Sequence, residues 1–186
     1  MRIIGGEARS RQLKAPEGRD TRPTLDRVRE NVFNILQLRV RGAQVLDLFA
    51  GSGALSLEAV SRGAARAVLV DHDRAAIAAE KANIESLRFA DRTRVLPMDW
   101  KRAAALLRSE GERFDLIFLD PPYAMRDMRE VMEALKPLLM EEALIVLEHQ
   151  SGVMPQTAEG YRMTDSRQYG YVGISFFELI PEVTET

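Results

Sequence analysis

The chain has no cysteine and only two histidines, His72 and His149, among its 186 residues. Disulfides and thiolate metal sites are thereby excluded, and two histidines are too few for a histidine-rich metal centre, so no metal is expected. No apolar run approaches the ~20 residues that span a bilayer. The opening Met1-Arg2-Ile3-Ile4-Gly5-Gly6 also lacks the long apolar stretch of a secretory signal. These absences predict a cytoplasmic protein with no membrane partner. Internal repeats, low-complexity tracts and obvious linkers are missing as well. A chain of this length can bury a substantial core without covalent staples, and a monomer is expected.

Charge is present but unevenly placed. Residues 1–41 carry 10 Lys/Arg against 5 Asp/Glu, whereas the remainder carries 16 against 23, for −2 overall. A basic arm on an acidic body suits a polyanionic partner met by one end only; the plainer reading is a solvated surface segment. We divide the chain accordingly into a basic N-terminal extension, residues 1–41, and a main domain, residues 42–186.

The stretch that organises the main domain is Asp120-Pro121-Pro122-Tyr123. The preceding Phe114-Asp115-Leu116-Ile117-Phe118-Leu119 has the composition of a buried parallel strand. This places the tetrapeptide at a strand's carboxyl end, where ligands bind in open α/β sheets. Two prolines stop the strand from running on into an ordinary helix. A carboxylate with nearby carbonyls can accept both protons of a planar exocyclic amine, and an aromatic ring can stack on the attached base for about 1–3 kcal/mol. A Pro-Pro turn flanked by an acid and a half-buried tyrosine is the bland alternative.

A second motif lies upstream. Val45 to Phe49 reads as a buried strand, followed by Ala50-Gly51-Ser52-Gly53 and a helix from Ala54 to Arg62. Glycines let the backbone approach a ligand, and the helix N-terminus offers free N–H groups. It is not the dinucleotide fingerprint, because Ser56 stands at the third glycine position and Asp47 sits in the strand before the loop. A carboxylate there repels a pyrophosphate and favours a cationic ligand such as S-adenosylmethionine (AdoMet).

The remaining chain alternates strand and helix. Ala67 to Asp71 is a strand ending in a carboxylate about 20 residues past the loop, suited to ribose hydroxyls. His72 follows it as a pocket-lining or idle loop residue, and Asp73 is placed to cap a helix from Arg74 to Glu85. Thr93 to Pro97 is the third strand, with Asp99 available to the adenine amine and Trp100 either covering adenine or packing in the core under a helix from Lys101 to Arg108. Met128, Val131, Met132 and Leu135 form a helical stripe, and Ala143 to Glu148 is the fifth strand. Tyr161 to Tyr169 and Tyr171 to Ile180 leave no room for a helix between them, which predicts an antiparallel hairpin on the sheet edge. Upstream, residues 2–14 predict a small hairpin around Gly5-Gly6 bearing Arg9, Arg11 and Lys14. Thr24 is expected to cap a helix from Leu25 to Leu38 with an apolar stripe of Leu25, Val28, Val32, Ile35 and Leu36, and with Arg27, Asn31 and Asn34 on another face.

Together, Asp47-Leu48-Phe49-Ala50-Gly51-Ser52-Gly53, Asp71, Asp99 and the Asp-Pro-Pro-Tyr tetrapeptide resemble class I AdoMet-dependent methyltransferases that modify exocyclic amines. With Arg2-Ile3-Ile4-Gly5-Gly6 and Arg22-Pro23-Thr24-Leu25-Asp26-Arg27-Val28-Arg29-Glu30 added, nearly the whole chain resembles the RsmD family. Gln168-Tyr169-Gly170 is similar to that family's C-terminal signature, in which an acid often stands at position 168.

The resemblance implies an α/β fold, a Rossmann-like class I methyltransferase with a seven-stranded mostly parallel sheet, a C-terminal antiparallel hairpin and a small N-terminal extension. It implies methyl transfer from AdoMet to N2 of a guanine in bacterial small-subunit (16S) rRNA, met free or in the assembling small ribosomal subunit. Asp47, Gly51 and Gly53 are then expected at the methionine part of the cofactor, Asp71 at the ribose and Asp99 at the adenine end, with Phe49, Ala50, His72 and Trp100 as further cofactor-binding residues. Asp120, Pro121, Pro122 and Tyr123 are expected to hold the guanine, and Arg9, Arg11, Lys14, Arg22 and Arg27 the RNA. The alternatives are adenine N6 of DNA, a glutamine amide of a protein, or a non-catalytic RNA-binding protein.

Overall fold

The computed structural model describes residues 1–16 and 23–181. Its centre is a seven-stranded sheet of order β3-β2-β1-β4-β5-β7-β6. β1 (Gln44–Asp47), β2 (Arg66–Asp71), β3 (Thr93–Pro97), β4 (Phe114–Leu119) and β5 (Leu139–Gln150) run parallel. β6 (Tyr161–Tyr169) and β7 (Val172–Leu179) form the expected antiparallel hairpin, with β7 paired to β5 and β6 at the rim.

Alternation along the strands sorts the core into two faces. Val45, Leu69, Phe118 and Val146 point to the side covered by α1 (Pro23–Val40), α2 (Ala54–Ser61) and α3 (Arg74–Leu87). Leu46, Val68, Ile117 and Leu147 point to the side covered by α4 (Trp100–Ser109) and α5 (Arg129–Leu135). Burial on both faces is why these strands read as continuous apolar runs. None of the helices among the described residues is long and apolar enough to cross a membrane.

Several boundaries differ from expectation. β1 ends at Asp47, two residues early, because Leu48 and Phe49 already turn into the glycine loop. β5 reaches from Leu139 to Gln150, well beyond Ala143–Glu148: Leu139 pairs with Phe114 across a register shift, and Gln150 pairs with Val172 of β7. α1 already includes Thr24, which therefore does not precede the helix as a cap. Its buried face is Val28, Val32, Phe33, Leu36 and Val40, while Ile35 is 41% exposed. At 100° per residue, Ile35 lies at the margin of that stripe, and Arg29 falls near its centre.

Arg29 is only 5% exposed, an unusual place for a guanidinium, and it is balanced by acids. Nη2 donates to Asp26 Oδ1 at 3.0 Å and to the Arg2 carbonyl, and Nε lies 3.8 Å from Glu58 Oε2. Glu58, buried on α2, also accepts the Ile4 and Gly5 backbone N–H groups at 2.8 Å each and Arg62 Nε at 2.7 Å. One buried carboxylate thus ties the hairpin of residues 1–14 and α1 to the helix that follows the glycine loop. That hairpin has a single antiparallel bridge, Arg2 to Gln12, and its Ile3, Ala8 and Leu13 join the core of the α1 face.

Candidate active site

The strand order reverses between β1 and β4, whose neighbours continue in opposite directions across the sheet. The loops leaving their carboxyl ends must therefore diverge, opening a crevice at the topological switch point. The Phe49–Gly53 loop forms one lip and the Asp120–Tyr123 corner the other.

The glycine loop is held by its neighbours. Gly51 has φ +59 and donates its N–H to Asp71 Oδ2 at 2.9 Å. Gly53 has φ +77, and a Cβ there would stand 2.8 Å from Leu69 Cδ2, so glycine alone fits where α2 begins. Asn83, buried on α3, donates to the Ser52 carbonyl at 2.9 Å and to the Lys14 carbonyl at 3.0 Å. It clamps loop and N-terminal segment together.

Two cavities flank the corner. The first, about 570 Å³, is lined by Asp71, His72 and Asp73 after β2, and by Met98, Asp99 and Trp100 after β3. The second, about 350 Å³, is lined by Ala50, Gly51 and Ser52 of the loop, Val28, Arg29 and Val32 of α1, and Met1 and Pro16 of the N-terminal segment. Its far wall consists of Val146 and Glu148 on β5 and of Tyr171 and Ile174 beside and on β7. Phe49, Asp120 and Tyr123 line both cavities. They form the partition at which two ligands would meet.

The residues expected around a cofactor divide into three groups. Asp71, His72, Asp99 and Trp100 line the first cavity with Phe49, while Ala50 and Gly51 line the second. Gly53 and Asp47 line neither. Asp47 is 1% exposed, set beneath the loop, with Oδ2 accepting the Ser56 hydroxyl at 2.8 Å and Oδ1 lacking a hydrogen-bond partner among the described residues. Burial pushes its carboxyl up to about 7, against the Ser56 bond and with help from the charge on Asp120. Asp47, expected at the methionine part of the cofactor, is therefore set beneath the loop and outside both cavities.

Asp71 spends both oxygens locally, on Gly51 N–H and, at 2.9 Å, on Asp73 N–H. Each carboxylate oxygen retains a further lone pair for a ligand hydroxyl. Asp99 caps α4, its Oδ1 accepting Lys101 N–H at 3.0 Å and Arg102 N–H at 3.2 Å, so Oδ2 remains for an amine. Trp100 is half-buried against the α4 face and also lines the first cavity.

Asp120, Pro121, Pro122 and Tyr123 all reach the first cavity, and Tyr123 is 47% exposed. Burial, followed by the charges of Glu148 and Asp120, pushes the Tyr123 phenol up to about 12, so it remains a neutral ring at ordinary pH. Arg9, Arg11, Lys14 and Arg27 are exposed outside both cavities, and Arg11 Nη2 donates to the Ser86 carbonyl at 2.6 Å. Arg22 lies outside the described residues. Gln168 is exposed on the rim strand β6, opposite Gly173 and away from either cavity.

Sequence reasoning missed Arg29, Glu148 and Tyr171. It also missed Glu80, a fully buried α3 carboxylate neither of whose oxygens has a hydrogen-bond partner among the described residues. Burial, and then the charges of Asp47 and Asp71, push Glu80 up to about 8. The floor of the cradle thus holds two carboxyls that ionise reluctantly while the site is empty, and a cationic ligand such as a sulfonium above them would favour their charged form.

The model of the family described as conserved hypothetical protein 95 matches residues 1–178. The provisionally named rRNA methyltransferase YlbH of Bacillus subtilis is 39% identical over 183 residues, covering 96% of this chain and 98% of that protein. Ribosomal RNA small subunit methyltransferase D of Escherichia coli strain K12 is 42% identical over 150 residues, covering 80% of this chain and 74% of that one. The solved structure of yhhF from Escherichia coli, provisionally named a methyltransferase, superposes with a TM-score of 0.82 at 36% identity, covering 98% and 99% of the two chains.

Proposed function

The chain belongs to the RsmD family, the family of conserved hypothetical protein 95, and from that premise we propose that it methylates the exocyclic N2 of a guanine in small-subunit rRNA. The methyl donor is AdoMet, as for class I methyltransferases generally. The observation that carries the reading is the position of Asp120 and Tyr123 in the partition between the two cavities. An amine held there faces a donor lying over the glycine loop.

The residues fit the cofactor. Asp71 and Asp99 offer acceptors for ribose hydroxyls and the adenine amine, Phe49 and Trp100 offer flat apolar surface, and the buried carboxyls of Asp47 and Glu80 below would gain charge as a cation binds above them. When bound, AdoMet supplies a methyl already activated by its sulfonium.

Asp120 accepts an N2–H, orienting the amine and drawing its lone pair out of conjugation with the ring. Tyr123 stacks on the base and fixes its plane. The N2 lone pair forms the new N–C bond as the methyl's bond to sulfur breaks, and the displaced proton leaves to Asp120 or water. Because the donor carries the activation, alignment by these residues accounts for most of the rate.

Arg9, Arg11, Lys14, Arg22 and Arg27 make phosphate contacts in this reading. The test is tritiated methyl transfer from AdoMet to small-subunit particles from cells lacking the enzyme, with the labelled nucleoside identified by mass spectrometry. N2-methylguanosine at one position is expected. Label on another nucleoside, or on DNA or protein only, overturns the assignment.

A further inference from the structure

Across the parallel β4–β5 pair, Leu119 is the register partner of Leu147, so the next residues, Asp120 and Glu148, emerge side by side. Adjacent strands lie about 4.8 Å apart, which brings two carboxylates to one edge of one cavity. Glu148 shares its face of β5 with Val146, and its partner across β7 is Ile174; all three line the second cavity with Asp120 and Tyr123. Glu148, half-buried, makes no hydrogen bond or ion pair among the described residues, whereas Glu58, a fully buried acid on this face, is fully engaged. A half-buried carboxylate beside Val146 and Ile174, with no partner among the described residues, is placed to receive a ligand that brings donors.

The reading rests on the proposed transfer to guanine N2. An amine presented to Asp120 turns the edge of its base toward β5. In guanine that edge carries N1–H beside N2–H, two donors in a row, whereas adenine and 2-aminopurine present a bare N1 lone pair.

We propose that Glu148 is the guanine-selecting residue of this site, its ionised carboxylate accepting N1–H and the second N2–H while Asp120 holds the first. Burial, and then the charge of Asp120, push the Glu148 carboxyl up to about 8. The empty site therefore resists ionisation, and two N–H donors are what would offset that cost. The other residues with ionisable groups lining this cavity are Asp120 after β4, Tyr123 in the same corner, Arg29 on α1, Tyr171 before β7 and Met1 with its terminal amine.

The test is a swap of preference. Small-subunit rRNA carrying either guanine or 2-aminopurine at the position labelled by the wild type is assayed above the titration of Glu148. Both bases offer an N2 amine, but only guanine has N1–H. Wild type should favour guanine by roughly 10–100-fold in kcat/KM. Glu148→Gln turns one acceptor into a donor that matches a bare N1, so the ratio should reverse in favour of 2-aminopurine.

Retention of the wild-type ratio by Glu148→Gln, or an equal loss on both bases, overturns the assignment while leaving the guanine reading intact. Failure of the wild type to methylate guanine N2 at all sinks the underlying reading and this one with it. AdoMet affinity and the melting temperature are followed in parallel. Should the Gln variant not fold, Glu148→Ala must bring the two bases near parity, and a persistent guanine preference there rejects the role.

Discussion

On the β2–β3 side of the crevice the acids are tied down: Asp71 and Asp99 each accept backbone N–H groups from their own loops or helix starts. On the β5–β7 side, Glu148 stands in an apolar wall beside Val146 and Ile174. The first arrangement holds its charges in place before any ligand arrives, which suits a donor of fixed shape. The second leaves an acid whose charge state depends on what enters, which suits a surface that must reject wrong bases. In the proposed reading, rigid capture and selection are divided between the two halves of one sheet edge, with the Asp120–Tyr123 corner belonging to both.

Removing the shared corner should have the largest effect. Asp120→Ala is expected to lower single-turnover transfer by roughly 10²–10³-fold, the scale of losing one preorganised polar contact to the reacting group. AdoMet binding, measured by calorimetry, should stay near the wild-type value. Turnover near wild type would remove Asp120 from the chemistry and collapse the division of labour.

The acids beneath the cofactor cradle come next. Glu80 titrates at about 8 in the fold against 4.5 in the unfolded chain. A raised folded value means that the folded state holds its proton longer, so stability is full below the unfolded value and drains away as pH rises toward 8. Gln mimics the protonated acid and carries no such loss. Glu80→Gln should therefore match wild type near the acid end of this window and exceed it by on the order of 2–4 kcal/mol at the alkaline end, a tenfold change in proton affinity being worth about 1.4 kcal/mol. Urea melts at two pH values check this, and parallel pH curves for the two proteins would show that Glu80 is not charged at a cost.

Asp71→Ala probes the cofactor half alone. It removes both the proposed ribose acceptor and the anchor of Gly51, and charged hydrogen bonds of this kind contribute about 1.5–3 kcal/mol each. The AdoMet dissociation constant should rise about 10–100-fold, with RNA affinity unaltered. An unchanged constant would mean that neither the loop anchor nor the ribose contact matters to binding.

How much of this was legible in the chain follows the same boundary. Thr93–Pro97 and Phe114–Leu119 stood out as strands with the bounds the structure shows, because short apolar runs end there at breakers. Glycine loop, Asp71 and Asp99 are local signals, each carried by a few consecutive residues. Glu148 is not: it ends an ordinary apolar strand, and only the register of β4 against β5 puts it beside Asp120. Arg29 carried no expectation of its own beyond membership of a motif, since its partners Glu58 and the Arg2 carbonyl come from elsewhere in the sequence. Asp47 was legible as an acid but not as a buried one, because its depth depends on Ser56 turning back over it from α2.

The smallest expected effect concerns the basic arm, which belongs to neither half. Arg9 and Arg11 are exposed neighbours on the same hairpin, but Arg11 already donates to the Ser86 carbonyl. If both meet phosphates, each alanine substitution should weaken rRNA binding a few-fold and reduce the slope of log affinity against log salt by about 1, whatever base is being read. Arg11→Ala should in addition loosen the hairpin's grip on α3, lowering the melting temperature slightly where Arg9→Ala does not. Filter binding across a salt series separates these outcomes. A slope that stays at the wild-type value in both variants would assign the arm's charge to solvation and move the RNA-binding face elsewhere on the molecule.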